Sequence, residues 1–449
     1  MFDRLFNSLF NIVFDTLRRI LPPGIHTRLK GTGDREGFKK YFKNTGWLLA
    51  ARVITFALSF FTVAFVARYL GPENYGKLSY AQSFVAIFSI FASLGIDQIL
   101  YRDLIAHPER EHELLGTALF SKIFFGILAF LVTITVAAYS NHDVILTFLI
   151  FIVSLTFIFQ PLGVLASYFS AKVHSKYYSY LAIVLAFVLP ALRLLIIFFH
   201  KGILFFAGVI VFESVAYSAF YLYIYVTRFH GKPFSWTFSF NTFKQLFHDS
   251  WPLLLAGLSG YVYGRIDQVM IKQYMDVSSV GLYDAAVKIT EMWAFLPGII
   301  IGSLFPAIVN ARSHDRSSYS KRLRALSFLT LGISTVISLL IFVGASFIID
   351  IVFGSQFLGS VGILRIYIWT GVGTVGIALI QNYLVAERRG RWFFGISLFG
   401  AVTNILFNLF LIPHFATAGA AFATVFSYIL MILAFFFILR RTRSADDIA

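Results

Sequence analysis

The chain has 449 residues, of which 58% are hydrophobic and only 13% are charged, and its mean hydropathy is +0.78. This composition excludes an ordinary soluble globular protein and indicates a protein that resides in a membrane. The formal net charge of +15 is typical of basic loops at an anionic membrane surface and is a poor sign of nucleic-acid binding; the absence of cysteine excludes disulfides and cysteine-ligated metal sites.

Residues 1–44 are predicted to form a cytoplasmic amphipathic arm. Apolar side chains between Leu5 and Leu17 recur at helical spacing, and charged residues such as Arg4 and Asp15 lie off that face. The pattern is typical of a helix that lies flat on a membrane surface. No small-residue cleavage site follows a short apolar core, so we do not interpret this segment as a signal peptide.

About twelve apolar stretches follow, each long enough to cross a hydrocarbon core of about 30 Å. The first six are predicted at 45–70, 79–101, 114–138, 144–169, 178–199 and 203–226, and the second six at 251–273, 281–311, 326–349, 361–385, 392–412 and 418–439. The predicted fold class is therefore an all-α membrane protein with about twelve transmembrane helices.

Lys and Arg are concentrated at the two termini and in alternate connections between these stretches. They are frequent in 102–110, 172–176, 228–244, 312–324, 388–391 and 440–443, whereas the other connections hold little beyond Lys77, Lys201 and Lys272. Loops rich in Lys and Arg stay cytoplasmic because their translocation is unfavourable. We therefore predict that both termini lie in the cytoplasm.

The longest internal polar stretch, 228–250, is predicted to link two six-helix lobes and to contain a surface helix after Asn241. The predicted organisation is an arm (1–44), an N-lobe (45–227), this cytoplasmic linker (228–250), and a C-lobe with a basic tail (251–449). A weak internal repeat supports the two lobes, since Tyr75-Gly76 is echoed by Val280-Gly281 at an offset of about 205 residues.

Charged residues inside the spans are informative because each costs roughly 2.5 to 3.5 kcal/mol to insert. Such side chains must face a water-filled cavity or one another. In the first half they are Arg52, Asp97, Lys122, Arg193 and Glu213, and in the second half Arg265, Asp267, Lys288, Glu291 and Arg365.

Two of these cations are predicted to share one depth in the membrane. At a rise of 1.5 Å per residue, Arg265 and Lys288 both lie about 20 Å from the cytoplasmic boundary. Glu291 shares the face of Lys288, whereas Asp267 is rotated about 200° from Arg265 and faces a different neighbour. Two interpretations stay open: a cluster that binds an anion beside a titrating carboxylate, or ion pairs that fix helix packing.

We assign substrate binding to Arg265, Lys288, Arg52, Lys122 and Arg193, and ion coupling or gating to Asp267, Glu291, Asp97 and Glu213. Arg52 also lies near enough to the cytoplasmic interface to be a simple anchor. Asp97 and Arg102 are five positions apart and are either a gate or a local pair, and the amides of Asn404 and Asn408 are expected to bond to a neighbouring helix.

Enzymatic function is not indicated. The chain has neither the G-x-x-x-x-G-K-[ST] motif of P-loop NTPases nor the H-E-x-x-H motif of zinc proteases, so no catalytic residue, metal or cofactor is assigned. The outward connections are also short, which excludes a folded catalytic domain on that side. Energy for transport is expected from an ion gradient, a partner or the gradient of the substrate.

Several stretches resemble the bacterial polysaccharide transporters, the O-antigen or oligosaccharide flippase family of the multidrug/oligosaccharidyl-lipid/polysaccharide exporter superfamily. They are 68–76 running into 94–97 and 101–103, then 265–267, 280–288 with Glu291, and 408–413 followed by 419–421. The likeness extends over nearly the whole chain from Thr45. The long arm before Thr45 and the 53 phenylalanines are departures that the family pattern does not explain.

The resemblance implies two six-helix lobes around a central cationic cavity, as in multidrug and toxin extrusion carriers. It implies a substrate too: an oligosaccharide repeat unit on undecaprenyl pyrophosphate, moved from the inner to the outer leaflet of the bacterial cytoplasmic membrane. Our mechanistic hypothesis is that the movement occurs by alternating access. A coupling proton or sodium ion, membrane lipids and the polysaccharide polymerase machinery are the partners expected for such a protein.

Three other functions remain to be distinguished. A multidrug exporter of the same superfamily is expected to have an acidic, aromatic cavity that selects organic cations. A lipid II flippase is expected to have about fourteen helices. A membrane polysaccharide polymerase or ligase is expected to have a substantial outward loop for its active site, and this chain lacks one.

Overall fold

The computed structural model describes the backbone of residues 32–140, 143–174, 176–312, 316–387 and 389–446, and all regular secondary structure in these ranges is helical. The chain divides into two compact units, Met1–Leu58 and Ser59–Ala449, and the contacts below all lie within the second. Most of the predicted arm, 1–31, lies outside the described residues.

Fourteen α-helices follow one another in the described residues, and short 3-10 turns lie between some of them. They are α1 (Thr32–Ser93), α2 (Asp97–Ala106), α3 (Glu111–Ser140), α4 (Val144–Ser154), α5 (Thr156–Phe159), α6 (Val164–Ala171), α7 (Lys176–Phe198), α8 (Ile203–Arg228), α9 (Phe240–Tyr274), α10 (Val277–Arg312), α11 (Arg316–Phe353), α12 (Ser360–Tyr367), α13 (Trp369–Ala386) and α14 (Gly390–Asp446).

The longest two helices are each interrupted by a single residue outside the helical region of the backbone. Gly71 interrupts α1 with φ of 71°, and Ala416 interrupts α14 with φ of 54°. Glycine adopts such a conformation without steric cost, and the proline that follows it, Pro72, suits the first turn of the next helix. Each interruption therefore separates two helical limbs by a single non-helical residue, with almost no loop.

Nine helical segments in the described part of the chain are long and apolar enough to cross a membrane, and the chain is a multi-pass membrane protein. Two of the nine, Leu58–Ala106 and Gly390–Leu439, contain the interruptions at Gly71 and Ala416. The remaining long helix, α9, carries Arg265, Asp267 and Lys272 in its second half, which lowers its hydropathy. The twelve predicted stretches thus correspond to fewer, longer segments by these criteria.

Three of the predicted spans are broken helices. The span 79–101 is divided between α1 and α2 at Leu94 and Gly95, which both have positive φ; 144–169 contains a 3-10 turn at Pro161; and 361–385 is divided between α12 and α13. Hydropathy is insensitive to these breaks because the residues at them are as apolar as their neighbours.

Helix α11 shows how the chain is arranged for a lipid solvent. Val336, Leu340, Val343 and Phe347, at helical spacing, are all more than half exposed, whereas the hydroxyl residues on the other side of the helix are fully buried; these are Thr330, Ser334 and Ser338. Large apolar side chains outside and small residues inside are the reverse of a soluble helix and allow close helix packing in a bilayer.

The halves before and after residue 230 meet along a close contact that we call the Gly71 seam. It joins residues 68–76 of α1 to the start of α10 and the end of α11. A Cβ atom at Gly76 would lie 2.0 Å from the Val277 carbonyl oxygen, and one at Gly281 would lie 2.1 Å from that of Pro72. The backbones therefore approach too closely for any residue but glycine.

A second part of the Gly71 seam is formed by Arg68. Its guanidinium donates hydrogen bonds to the last carbonyl groups of α11, with 2.9 Å to Val352 and 3.1 Å to Asp350 as well as a bond to Ile351. Gln356 donates in return to the Arg68 carbonyl oxygen, at 2.7 Å. The Arg68 cation thus lies at the last carbonyl groups of α11, where it suits the negative end of the helix dipole.

The predicted linker differs from the structure in one respect. The segment after Asn241 is helical, but it is the first part of α9, which begins at Phe240 and runs to Tyr274 without a break, so it is not a separate surface helix. The side chain of Ser239 accepts a hydrogen bond from the Thr242 amide and provides the N-cap. Pro252 did not end the helix, and no turn residue separates the two parts.

Candidate functional site

Arg265 of α9 and Lys288 of α10 contact the same carboxylate. Arg265 Nη2 lies 3.5 Å from Glu291 Oε1, and Lys288 Nζ lies 2.8 Å from Glu291 Oε2. The side chains are 30%, 24% and 45% exposed for Arg265, Lys288 and Glu291, respectively. Arg265, Lys288 and Glu291 thus form a three-residue cluster, and all three side chains are accessible.

A second carboxylate, Asp284, lies behind this cluster. Its Oδ1 is 3.9 Å from Arg265 Nη1, which is a long ion pair. Its nearer partners are neutral, since the Tyr75 hydroxyl donates to Oδ2 at 2.6 Å and the Gln268 amide donates to Oδ1 at 2.7 Å. Asp284 is 3% exposed, so it balances charge from within the protein while Glu291 meets the cations at the surface.

Asp267 occupies a separate buried pocket between α9, α10 and α14. The Tyr283 hydroxyl donates to Oδ2 at 2.6 Å, the Thr424 hydroxyl donates to the same oxygen at 2.5 Å, and the Asn408 amide donates to Oδ1 at 2.6 Å. Asn408 also donates to Asn404, at 3.1 Å. No Lys or Arg side chain is among the described contacts of Asp267, as its predicted rotation away from Arg265 requires.

One oxygen in the Asp267 pocket has no hydrogen-bond partner among the described residues. Both the side chain of Asn408 and its neighbour Asn404 are fully buried, and Asn408 Oδ1 accepts no hydrogen bond among the described residues. A buried acceptor without a donor is costly and is usually explained by water or an ion. The pocket thus combines an acidic side chain with amide and hydroxyl oxygens, a set that suits a small cation.

Tyr75 interacts electrostatically with charged residues of both halves. The charges of Arg193 in α7 and Glu213 in α8 interact with each other, and that of Arg193 also reaches the Tyr75 hydroxyl. The charges of Arg265 and Glu291 reach the same hydroxyl from the other half. Tyr75 therefore lies between charged residues of both halves. The side chain of Arg52, another predicted substrate residue, lies outside the described residues.

Lys122 and Asp97 pair with each other away from this cluster. Lys122 Nζ lies 2.5 Å from Asp97 Oδ1, and the lysine is 3% exposed whereas the aspartate is 49% exposed. Arg102 does not pair with Asp97. It contacts Asp103 at 2.7 Å and Asp249 of α9 at 2.6 Å, so the Arg102 contact joins the two halves at the opposite end from the Gly71 seam.

The Arg102 contact borders an open cavity of about 560 Å³. Its lining residues are Arg102, Asp103, His107, Arg110, Lys244, Gln245, His248 and Asp249. The hydrogen bond from Arg102 and a weaker one from His248 hold the pKa of Asp249 below its ordinary value. Because this pKa is lowered, the charged contact is present at neutral pH and is lost only as the pH falls through that lowered value.

Several residues of these clusters are uncharged, so the pattern of charged residues in the sequence does not identify them. Tyr75, Gln268, Tyr283 and Thr424 are neutral, and neutral polar residues are common in membrane helices. Asp284 is acidic but lies close to the start of α10 and is not one of the site residues predicted from the sequence. The sequence feature that points to Asp284 is its position within the stretch 280–288, which carries the family resemblance. Among the described residues, no group of acidic or histidine side chains is arranged to hold a metal ion.

The described helices are those of a multi-pass membrane protein whose two halves meet through polar clusters. Sequence comparison gives the family. The profile of the polysaccharide biosynthesis protein family matches residues 41–312, so the chain belongs to that family.

Named relatives agree with this membership. The probable flippase AglR of Haloferax volcanii is 26% identical over 38% of this chain and 37% of its own length, so the match spans well under half of that relative. The capsular polysaccharide biosynthesis protein CapF of Staphylococcus aureus is 20% identical over 89% of this chain and 99% of its own length. A putative O-antigen transporter of Shigella flexneri is 22% identical over 60% of this chain and 67% of its own length.

Solved structures show the same fold. The lipid II flippase MurJ in an inward closed conformation has a TM-score of 0.71 at 17% identity and covers 87% of each chain. An inward-facing multidrug resistance MATE family transporter of the MOP superfamily has a TM-score of 0.65 at 13% identity, over 87% of this chain and 96% of that one. The chain therefore shares the fold of these flippase and transporter structures.

Proposed function

We propose that this protein moves undecaprenyl-pyrophosphate-linked oligosaccharide repeat units from the inner to the outer leaflet of the bacterial cytoplasmic membrane, for the synthesis of O-antigen or exopolysaccharide. The movement occurs by alternating access between two six-helix lobes, with about twelve helices in all and both termini in the cytoplasm. The single observation that carries the substrate is the cluster in which Arg265 and Lys288 share Glu291.

The cluster suits a pyrophosphate group because most of its donors are available. A guanidinium has five N–H donors and an ammonium has three. In the described contacts, Arg265 and Lys288 each donate one hydrogen bond, both to Glu291. Glu291 is 45% exposed and can turn away. A pyrophosphate carries more negative charge and more acceptor oxygens than one carboxylate, so it competes effectively for both cations.

The Asp267 pocket suits the coupling ion. A fully buried carboxylate without a cationic partner requires a proton or a bound cation to neutralise it. Thr424 and the unpartnered Asn408 Oδ1 supply neutral oxygens beside Asp267. The pocket and the cation cluster are on the same two helices, α9 and α10, so binding at one position is able to influence the other. A proton and a sodium ion are both compatible with these ligands.

The decisive experiment measures flipping of a fluorescent lipid-linked oligosaccharide in proteoliposomes. The double variant Arg265→Ala with Lys288→Ala is expected to flip at least tenfold more slowly, because a hydrogen bond to a charged group contributes about 1.5 to 3 kcal/mol. The matched control is Arg365→Ala, which removes an exposed cation of the same half whose described contact is the Phe342 ring.

Two results would contradict the proposal. If the double variant flips the lipid at the wild-type rate and at equal protein level, Arg265 and Lys288 do not form the substrate site. Transport of organic cations by the wild type, without movement of the lipid-linked sugar, would favour a multidrug exporter, the function given for the MATE neighbour.

A further inference from the structure

A buried hydrogen-bond network joins the two halves beside the Gly71 seam. The Tyr75 hydroxyl and the Gln268 amide both donate to Asp284, at 2.6 and 2.7 Å. The Gln268 side-chain oxygen accepts from the hydroxyls of Ser79, at 3.2 Å, and Ser83. All five side chains are at most 4% exposed. Because these side chains are buried, bulk water does not readily replace a lost partner.

The network crosses between the halves at every one of its α1 residues. Tyr75, Ser79 and Ser83 are spaced by four positions and so lie on one face of α1. Gln268 is on α9. Its side-chain oxygen accepts hydrogen bonds from α1, and its side-chain nitrogen donates one to Asp284 on α10. Separation of α1 from α9 and α10 would break three hydrogen bonds, one of them to a carboxylate.

We propose that this network is a latch that keeps the Gly71 seam closed, and that transport requires the latch to break and form again in each cycle. The inference rests on the alternating access of the proposed function. The seam already brings the backbones into contact at Gly76 and Gly281, and the latch holds that contact against the tendency of the halves to part. Tyr75, Gln268 and Asp284 are therefore positioning residues for the conformational change.

The experiment uses pulsed electron spin resonance on spin-labelled protein in lipid nanodiscs. The chain has no cysteine, so Val144→Cys and Leu358→Cys label one exposed site in each half near the seam without background. Tyr75→Phe and Gln268→Leu are each expected to raise the ratio of long to short distances about tenfold, since each removes a hydrogen bond to a charged group. Ser79→Ala with Ser83→Ala, which removes two small hydroxyls, is a milder second test.

The matched control is Tyr69→Phe. This variant removes a hydroxyl that donates to the Lys201 carbonyl at 3.0 Å, a bond within the first half only, and the distances should stay as in the wild type. Unchanged distances in Tyr75→Phe, Gln268→Leu and the double serine variant would overturn the latch. Failure of the wild type to flip the lipid-linked sugar would instead reject the proposed function, while the distances would still decide the latch.

Discussion

Asp267 and Glu291 are both acidic residues within helices of the second half, yet their surroundings differ in a way that separates their roles. Glu291 is 45% exposed and contacts two cations. Asp267 is 3% exposed and contacts the neutral donors of Tyr283, Thr424 and Asn408. An accessible carboxylate held by cations is suited to exchange with another anion. A buried one among neutral groups is suited to binding a proton or a small cation.

We predict that Asp267→Asn uncouples transport from the ion gradient. The amide cannot take up a proton or balance a cation, so flipping driven by an imposed sodium or pH gradient should fall to the rate without a gradient, while exchange of lipid-linked sugar continues. Flipping assays with each gradient in turn also identify the ion. Asp350→Asn, an exposed carboxylate at the end of α11, is the control, and persistence of gradient-driven flipping in Asp267→Asn would reject this role.

Part of this site could be predicted from single residues. The shared depth of Arg265 and Lys288 follows from counting residues along two helices, and the structure brings both cations to Glu291. The partners of Asp267 could not be chosen in advance, because many hydroxyl and amide residues lie in the spans. Which of them faces a given carboxylate depends on helix rotation, which hydropathy does not specify.

At the scale of helices, the internal repeat acquires a structural meaning. Gly76 and Gly281 occupy corresponding positions in the repeat, and the structure places them against each other at the Gly71 seam. The sequence alone identifies the two glycines as equivalent. It does not show that they touch, since equivalent positions in two repeats are in contact only near the axis that relates them.

We predict that Gly281→Ala prevents the seam from closing. Its new Cβ atom would lie 2.1 Å from the Pro72 carbonyl oxygen, which is backbone and cannot turn aside. Alanine favours the helix by about 1 kcal/mol, so a loss of transport would not reflect helix unfolding. Longer distances between labels at residues 144 and 358 and loss of flipping are expected. The control is Gly298→Ala on the same helix, where the added atom meets nothing within 4 Å; a closed, active Gly281→Ala protein would refute the prediction.

At the scale of the whole molecule, composition and hydropathy were sufficient for the fold class but not for the arrangement of the halves. The all-helical architecture follows from apolar stretches of span length. The contacts that join the halves, at Arg68, Tyr75 and Arg102, involve residues that also occur in solvent-facing or lipid-facing positions elsewhere. Their partners, including the carbonyl groups at the end of α11, become evident only in three dimensions.

The distribution of Lys and Arg predicts the orientation of the whole chain. Alkaline phosphatase fused after Gly202 or Asp276 should be active because these connections are predicted to face outward, and the same fusion after His174 or Arg389 should be inactive. Green fluorescent protein at the same four positions should give the reverse pattern. Active phosphatase at His174 or Arg389 would show that the orientation is inverted or that the number of crossings differs.

The interruption at Ala416 places both limbs of α14 beside the same carboxylate. Asn408 lies eight residues before the interruption and Thr424 eight residues after it, and both hold Asp267. The helical stretches from Ala416 to Asn408 and from Ala416 to Thr424 are therefore each about 12 Å long. The two limbs pack closely next to the interruption, since a Cβ atom at Gly419 would lie 2.2 Å from the Leu411 carbonyl oxygen. A change of angle at Ala416 would therefore move Asn408 and Thr424 relative to each other and alter their hydrogen bonds to Asp267.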